Sequence, residues 1–455
     1  MEFKQATVVD EDTQKPSHIA EVESEIKRLE AAAMSAHLEA QALNKLQRCE
    51  EANAKYDEMR RLDARALELA NSLGCPSCRK PSSGAAGATP AAAGDAAADY
   101  ISLHPVTPWP AQAAPGAAAR ALGAVLGAAV GDAAAMGVQW IYSLERLEDL
   151  LAARREAEGP AAGLEFYEPP QSPFLPGYAT GRHSPYGEEA AVLLRSLARE
   201  GGLDCGAYAE LYAETFGEGF DGYRNASTTG FLRNYSRGMA PPATGAEDAQ
   251  ADCVARLAPL VAAFAGHPRL MRLVAAATRT TQNTDDAEAW ACAGAAVLEG
   301  LVLRGAGMAD AVAAAADELA AGSGRLPACE RHAAIAALLR RVLALRDAPH
   351  AAVVSDLGRN CHMPNAALTP LHAALHQEWL AQRRGGAAGG EAAFVDGIRG
   401  ALAAGGCCAS RAGFAGACLG AMLGPGAVPA GWRARCGTAA EVKELFGAIS
   451  AARGA

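Results

Sequence analysis

The chain has 455 residues, enough for two or three domains and a large buried core. Half of it is hydrophobic but only 5% is aromatic, so alanine, the strongest helix former and a poor strand former, carries much of the apolar content. A net charge of −10, from 51 acidic and 41 basic side chains, argues against nonspecific nucleic-acid binding, which needs Lys and Arg to neutralise phosphates. The composition predicts an all-α protein, and its 48 glycines predict many short helices joined by Gly-rich turns.

The first residues, MEFKQATVVDEDTQKPSH, are acidic and lack an apolar run, so they read neither as a secretory signal nor as a transit peptide. Residues 1–74 are expected to form a charged helical arm. Apolar residues recur at Ile19, Val22, Ile26, Leu29, Ala33, Ala36, Ala40 and Leu43, alternating steps of three and four. Three of these positions are Ala, and Leu46, Met59, Leu62, Leu67 and Leu69 do not keep one phase. A solvated single helix and a short coiled coil or partner-docking helix both fit. The second is favoured, because isolated helices rarely persist without packing.

Residues 75–116 are rich in Pro, Gly, Ser and Ala and read as a flexible or extended linker, with the stretch around Trp109 able to lie along a surface. Cys75 and Cys78 make a CxxC pair without a second close pair or a βαβ context, and so read as incidental thiols.

From residue 117 to 455 one apolar segment at helical spacing follows another, with no alternating strand run and no long-period repeat. The segment ARALGAVLGAAVGDAAAMGVQ is rich in small residues, which lets neighbouring helices approach closely. Asp132 interrupts the longest apolar stretch, Ala121 to Trp140, which marks a buried helix and not a membrane span. The 12 cysteines, unevenly scattered, read as reduced thiols of a reducing, cytoplasmic compartment.

Four segments hold residues capable of chemistry. Asp132, alone in its apolar helix, needs a partner: either a ligand or a neighbouring backbone that it caps. Glu188 and Glu189 open a helix after a Pro/Gly loop, where acids complement the helix dipole and where oxygens can also hold a hard cation. In RTTQNTDDAEAW, Thr284 is a candidate N-cap with Asp285 and Asp286 in the first turn, while Gln282 and Asn283 offer amides to a ribose or base. In GGCCASRAGFAGACLGAML, two glycines lead into a Gly/Ala helix whose first N–H groups form either a tight turn or an anion site.

In this order, over about Ala117 to Trp432, these segments resemble the ADP-ribosylglycohydrolase family. Its opening GALLG–GDALG helix is matched at Gly127, Gly131 and Asp132, and its late GGDTDT turn, Gly/Ala helix and "P–W" segment are matched in layout by GGCCASRAGFAGACLGAMLGPGAVPAGW. The segments ADCVARLAPLVAAFAG, ATRTTQNTDDA and GRNCHMPNAALTPLHAAL are similar to the J-crystallin branch, which includes lens proteins of structural role. The resemblance implies an all-α fold and, for the hydrolases, two magnesium ions. Their ligands come from a Thr-Asp-Asp-type segment and from the late Asp-x-Asp-Thr, and the ions position ADP-ribose and activate water.

The sequence departs from that pattern twice. The early segment reads Tyr186-Gly187-Glu188-Glu189, and the late turn places Cys407 and Ala409 at the two Asp positions and Ser410 at the Thr. A thiol is a poor magnesium ligand and Ala supplies none. By resemblance, Glu188, Glu189 and Asp132 are the residues left for a metal, Glu188 or Glu189 for a general base, and Asp132, Gln282, Asn283 and Ser410 for an ADP-ribose-like ligand. The favoured expectation is a structural or assembly subunit without two-magnesium hydrolysis, docked through its N-terminal helix onto a protein partner such as a cytoskeletal or ciliary assembly. The alternatives are a hydrolase of ADP-ribosyl N-glycosidic bonds with altered metal use, and a metal-free ADP-ribose or nucleotide binding module.

Overall fold

The structure, a computed structural model, describes residues 99–385 and 389–454 together with scattered positions between residues 24 and 65. Two compact units separate, one formed by residues 1–85 with 236–238 and the other by residues 86–235 with 239–455. In the first, the described positions 24–39 and 58–65 are helical, and Arg28 pairs with Glu25 one turn earlier at 2.6 Å. The predicted heptad positions from Ile19 to Leu43 lie outside the described residues, as do Cys75 and Cys78.

The second unit is helical, as its composition predicts. The helices are α1 (Ala117–Met136), α2 (Leu144–Glu158), α3 (Pro185–Glu200), α4 (Cys205–Phe216), α5 (Ala226–Ser236), α6 (Asp252–Ala255), α7 (Leu257–Phe264), α8 (Leu270–Thr281) and α9 (Asp285–Arg304). They continue with α10 (Met308–Ala321), α11 (His332–Ala344), α12 (His350–Leu357), α13 (Asn365–Arg383), α14 (Gly390–Ala403), α15 (Cys408–Leu423), α16 (Ala430–Arg435) and α17 (Ala439–Ala452). Local signals set several boundaries. Thr284 caps α9 by accepting from Ala287 N at 3.1 Å, and Gly305, at φ 62°, ends the same helix in the left-handed region that side chains avoid.

Helices α1 and α15 form the centre. Their small residues recur every four positions and meet in antiparallel register: Gly123 against Gly420, Gly127 against Gly416, Gly131 against Ala412. A Cβ at Gly123, Gly127, Gly416 or Gly420 would be driven into the opposing carbonyl oxygen. The alanine-rich composition thus acts through close backbone approach, where many weak dispersion contacts sum, more than through large side chains. Although α1 is long and apolar enough to cross a membrane, 78% of its apolar window is buried.

Residues 99–116 lie along this unit. The two-residue strand β1 (His104–Pro105) pairs antiparallel with β2 (Gly202–Leu203). Trp109 N donates to Arg453 O at 3.1 Å, and the Arg453 guanidinium sits 3.6 Å above the Trp109 ring. Ala114 N donates to Leu303 O at 2.9 Å, and Asp99 pairs with Arg269 and Arg272. Of the two forms that the Pro-rich composition allows, this part of the segment takes the surface-bound one.

Candidate functional site

The α1–α15 seam brings Asp132, near the end of α1, beside the first turn of α15, while the loop before α3 closes the third side. Between them lies a cleft whose lining includes Ala128, Asp132, Tyr186, Gly187, Ser410 and Val442. Two helix starts face this cleft, an early one at α3 and a late one at α15.

The early turn keeps its carboxylates but engages each with the protein. Asp132 is 2% exposed. Its Oδ1 accepts from Ser184 N and from His183 Nδ1, each at 2.9 Å, and its Oδ2 accepts a short bond from the Ser184 hydroxyl. The other ring nitrogen of His183 lies 2.6 Å from the Thr438 hydroxyl. Of its two readings, Asp132 takes the capping one. Gly187 makes this clasp possible, because a Cβ there would collide with the Asp132 carboxyl and the His183 ring. The absence of a side chain at Gly187 leaves the space that Asp132 occupies.

Glu188 stands in the first turn of α3 and accepts from Arg182 Nε at 2.7 Å. Arg182 also bonds Asp221 at 2.9 Å and lies 4.0 Å above the Tyr178 ring. Burial outweighs this pairing and pushes the Glu188 carboxyl up to about 7. Glu189 points into the core and is fully buried. Its Oε1 accepts from Asn225 Nδ2 at 2.7 Å and from the Thr228 hydroxyl at 3.2 Å, and its Oε2 lies 3.6 Å from Arg256 Nη1. Asn225 Nδ2 also donates to Asp252, whose carboxyl is raised well above the usual range by burial and then by the neighbouring Glu189.

Arg256 organises this network. It donates to Asp252 O at 3.0 Å, the Tyr208 hydroxyl at 3.3 Å, Gln282 Oε1 at 2.8 Å and the Thr281 hydroxyl. This places the two amides proposed for ligand contact elsewhere. Gln282 is fully buried between Arg256 and Asp248, its Nε2 donating to Asp248 Oδ2 at 2.7 Å, and Asn283 Oδ1 accepts from Arg279 at 2.8 Å. Neither lines the cleft. Both polar atoms of the Gln282 amide and the Asn283 carbonyl are thus bonded within the protein.

The late turn has lost its carboxylates. Gly405 and Gly406, at φ 68° and 67°, lead to Cys407, the N-cap of α15. The Cys407 sulfur is buried, 3.0 Å from the Ser410 hydroxyl, 3.3 Å from the Tyr186 hydroxyl and 3.5 Å from Gln139 Nε2, with the Cys361 thiol as a further neighbour. Burial raises the Cys407 thiol, but these four neighbours together outweigh it and hold it below the usual thiol range. Ala409 offers no side-chain donor, and Gln139 Oε1 takes its backbone N–H at 2.7 Å, occupying part of the anion-binding edge expected at this helix start. Ser410 alone of the late residues presents a hydroxyl to the cleft lining. Arg411 anchors the turn by donating to Ala401 O and Gly405 O at 2.9 Å.

A magnesium pair needs several free hard oxygens. Here both Asp132 oxygens are clasped, Glu188 and Glu189 each bond the protein through Oε1 and leave Oε2 buried without a hydrogen bond, Ala409 has nothing to give and Cys407 is soft. Among the described residues no group of three or more His, Cys, Asp or Glu side chains is arranged to hold a metal ion. The residues present do not fit the family's metal pair. Sequence reasoning missed His183, Asn225, Asp252 and Arg256. The one available signal was Asp252 and Arg256, charged and four residues apart at the head of an apolar run, where burial demands pairing.

Comparison with known proteins addresses the family and the fold. The family model described as ADP-ribosylglycohydrolase matches residues 113–454. Crystallin J1A and Crystallin J1B of Tripedalia cystophora are each 30% identical over 200 residues, 41% of this chain and 59% of their own length. The chain therefore aligns with little more than half of each of these relatives. A solved structure titled ADP-ribosylglycohydrolase-related protein complex superposes with a TM-score of 0.52 at 25% identity, over 74% of this chain and 99% of that one. With most of its length under the family model and its fold shared with that structure, the chain belongs to the ADP-ribosylglycohydrolase family.

Proposed function

We propose that this chain is a family member that does not hydrolyse ADP-ribosyl bonds by two-magnesium chemistry and serves as a structural or assembly subunit. In this reading its N-terminal arm docks onto a protein partner, such as a cytoskeletal or ciliary assembly, in a reducing cytoplasmic compartment. The observation that carries it is the engagement of every acid at the family's metal positions. Asp132 bonds Ser184 and His183, Glu188 bonds Arg182, Glu189 bonds Asn225, and the late turn supplies Cys407 and Ala409. Similarity to two proteins named as crystallins supports the same reading.

A second reading draws on Glu188. A carboxyl raised to about 7 beside a cleft is tuned as a general base is tuned, which favours hydrolysis of an N-glycosidic bond with altered metal use. The test is calorimetric titration of the full chain with ADP-ribose, with and without magnesium, alongside turnover of an ADP-ribosylated protein. The expected result is no turnover and no magnesium-dependent heat, with capture of the partner assembly lost on deletion of residues 1–74. Magnesium-dependent binding and turnover would overturn the proposal, and binding without metal would move it to a ligand-binding module.

A further inference from the structure

We infer that Cys361 and Cys407 form a redox-active dithiol, a modification site that a hydroperoxide converts to an intrachain disulfide across the late turn. The two sulfurs come from different segments that share a backbone bond: Cys407 N donates to Arg359 O at 2.7 Å. Their side chains are neighbours. Their environments differ as a reactive pair requires. Cys407 sits at the N-cap of α15, the positive end of a helix, with the Gln139 amide and the Tyr186 and Ser410 hydroxyls around its sulfur. Cys361 is half-buried, its thiol donating to Gln250 Oε1 at 3.0 Å and standing next to the Cys407 sulfur. Contact with Cys407 and then burial push the Cys361 thiol up, whereas the neighbours of Cys407 hold its thiol down, which makes Cys407 the nucleophile of the pair.

The adjacent Cys408 serves as an internal contrast. It faces the carbonyls of Ala135 and Val138 at 3.7 and 3.5 Å, and burial pushes it up to about 12. Helix geometry thus separates two neighbouring cysteines, one beside two hydroxyls and an amide and the other beside two carbonyls. Tyr186 and Ser410, which touch the Cys407 sulfur, also line the cleft, so the buried sulfur lies one side chain away from it.

The reaction is a two-electron oxidation. The Cys407 thiolate attacks one peroxide oxygen, an S–O bond forms, the O–O bond breaks and hydroxide leaves. The Cys361 sulfur then attacks the Cys407 sulfenic acid. An S–S bond forms, the S–O bond breaks, and the leaving hydroxide takes the Cys361 proton to give water. Peroxide is the oxidant, and a dithiol reductant reverses the product.

The test treats the full chain with a few equivalents of hydrogen peroxide, blocks free thiols by alkylation and maps peptides without reduction. The expected first product is a Cys361–Cys407 linked peptide, two hydrogens lighter than the dithiol and lost on reduction. In Cys361→Ser the link disappears and a dimedone adduct accumulates on Cys407, while Cys408→Ser leaves the link unchanged. A first oxidation at any other cysteine, or a Cys407–Cys408 link, in the unmutated protein would overturn the inference. The outcome is independent of whether ADP-ribose binds, so it stands or falls apart from the proposed function.

Discussion

The two helix starts that face the cleft have departed from the family pattern by different routes. At α3 the acids remain in number, lengthened from Asp to Glu, and the protein has closed around them: Arg182 on Glu188, Asn225 and Arg256 on Glu189, the His183–Ser184 loop on Asp132. At α15 the acids are gone, and a buried sulfur sits among hydroxyls and an amide. The first turn shows that a carboxylate can persist in sequence while one of its oxygens is committed to the protein. The second places a sulfur where the resemblance has an oxygen. Residue identity alone would rank the early turn as the intact half, whereas hydrogen bonding shows that both halves are rebuilt.

The largest expected effect tests whether Arg256 holds the early turn together. Arg256→Met leaves Glu189 and Asp252 buried without their cation and should cost about 3–5 kcal/mol, read as a lower urea midpoint. A loss below about 1 kcal/mol would mean that the network does not need its guanidinium.

The next effect concerns pH, and the two turns should act with opposite sign. The folded Glu188 carboxyl, raised from 4.5 to about 7, keeps a proton that the unfolded chain has already released. Stability from this group therefore falls as pH rises through that window, by roughly 2 kcal/mol after allowance for its partial exposure. Glu188→Gln should flatten the fall. Cys407 has released in the fold a proton that the unfolded thiol still holds, so its contribution is lost as pH drops from about 9. Cys407→Ser should remove that rise. Equal slopes in wild type and both variants, measured by chemical denaturation across pH, would dissolve the contrast.

A smaller effect is expected at Gly187. In Gly187→Ala the new methyl collides with Asp132 and His183, partly offset by the better helix former, for a net loss of about 1 kcal/mol. A stabilised variant would show that the Asp132 clasp yields freely. The smallest expected effect is none. Restoring the late acids with Cys407→Asp and Ala409→Asp together should create no magnesium-dependent heat with ADP-ribose, because the early acids stay committed. Magnesium binding by that double variant, seen in calorimetry, would make the late turn the sole defect.

Much of the fold was legible in the sequence because its signals are local or periodic. The Gly and Ala repeats of α1 and α15 announced close helix approach, Thr284 announced a cap, and Asp132 in an apolar stretch announced a buried helix with a polar obligation. The ladder of motifs also identified the family. The state of the site was not legible, because it depends on which residues distant in sequence meet. His183 reaches Asp132 across 51 positions, Arg256 reaches Gln282 across 26, and Cys361 reaches Cys407 through a loop with no motif of its own. Gln282 and Asn283 looked available only because their guanidinium partners, Arg256 and Arg279, had not been assigned to them. Spacing can place a carboxylate at a helix start, but only tertiary contact decides whether its oxygens are still free.

The glycine seam between α1 and α15 separates architecture from chemistry. Gly123, Gly127, Gly416 and Gly420 are matched backbone to backbone, and none of the side chains at positions 407, 409 or 410 takes part in that match. The walls of the cleft are set by one group of atoms and its reactivity by another. Such a scaffold is permissive: successive substitutions at the two helix starts can erase one activity or install another while the enclosure keeps its shape. A loop graft from an active hydrolase would arrive at an address already laid out in backbone alone.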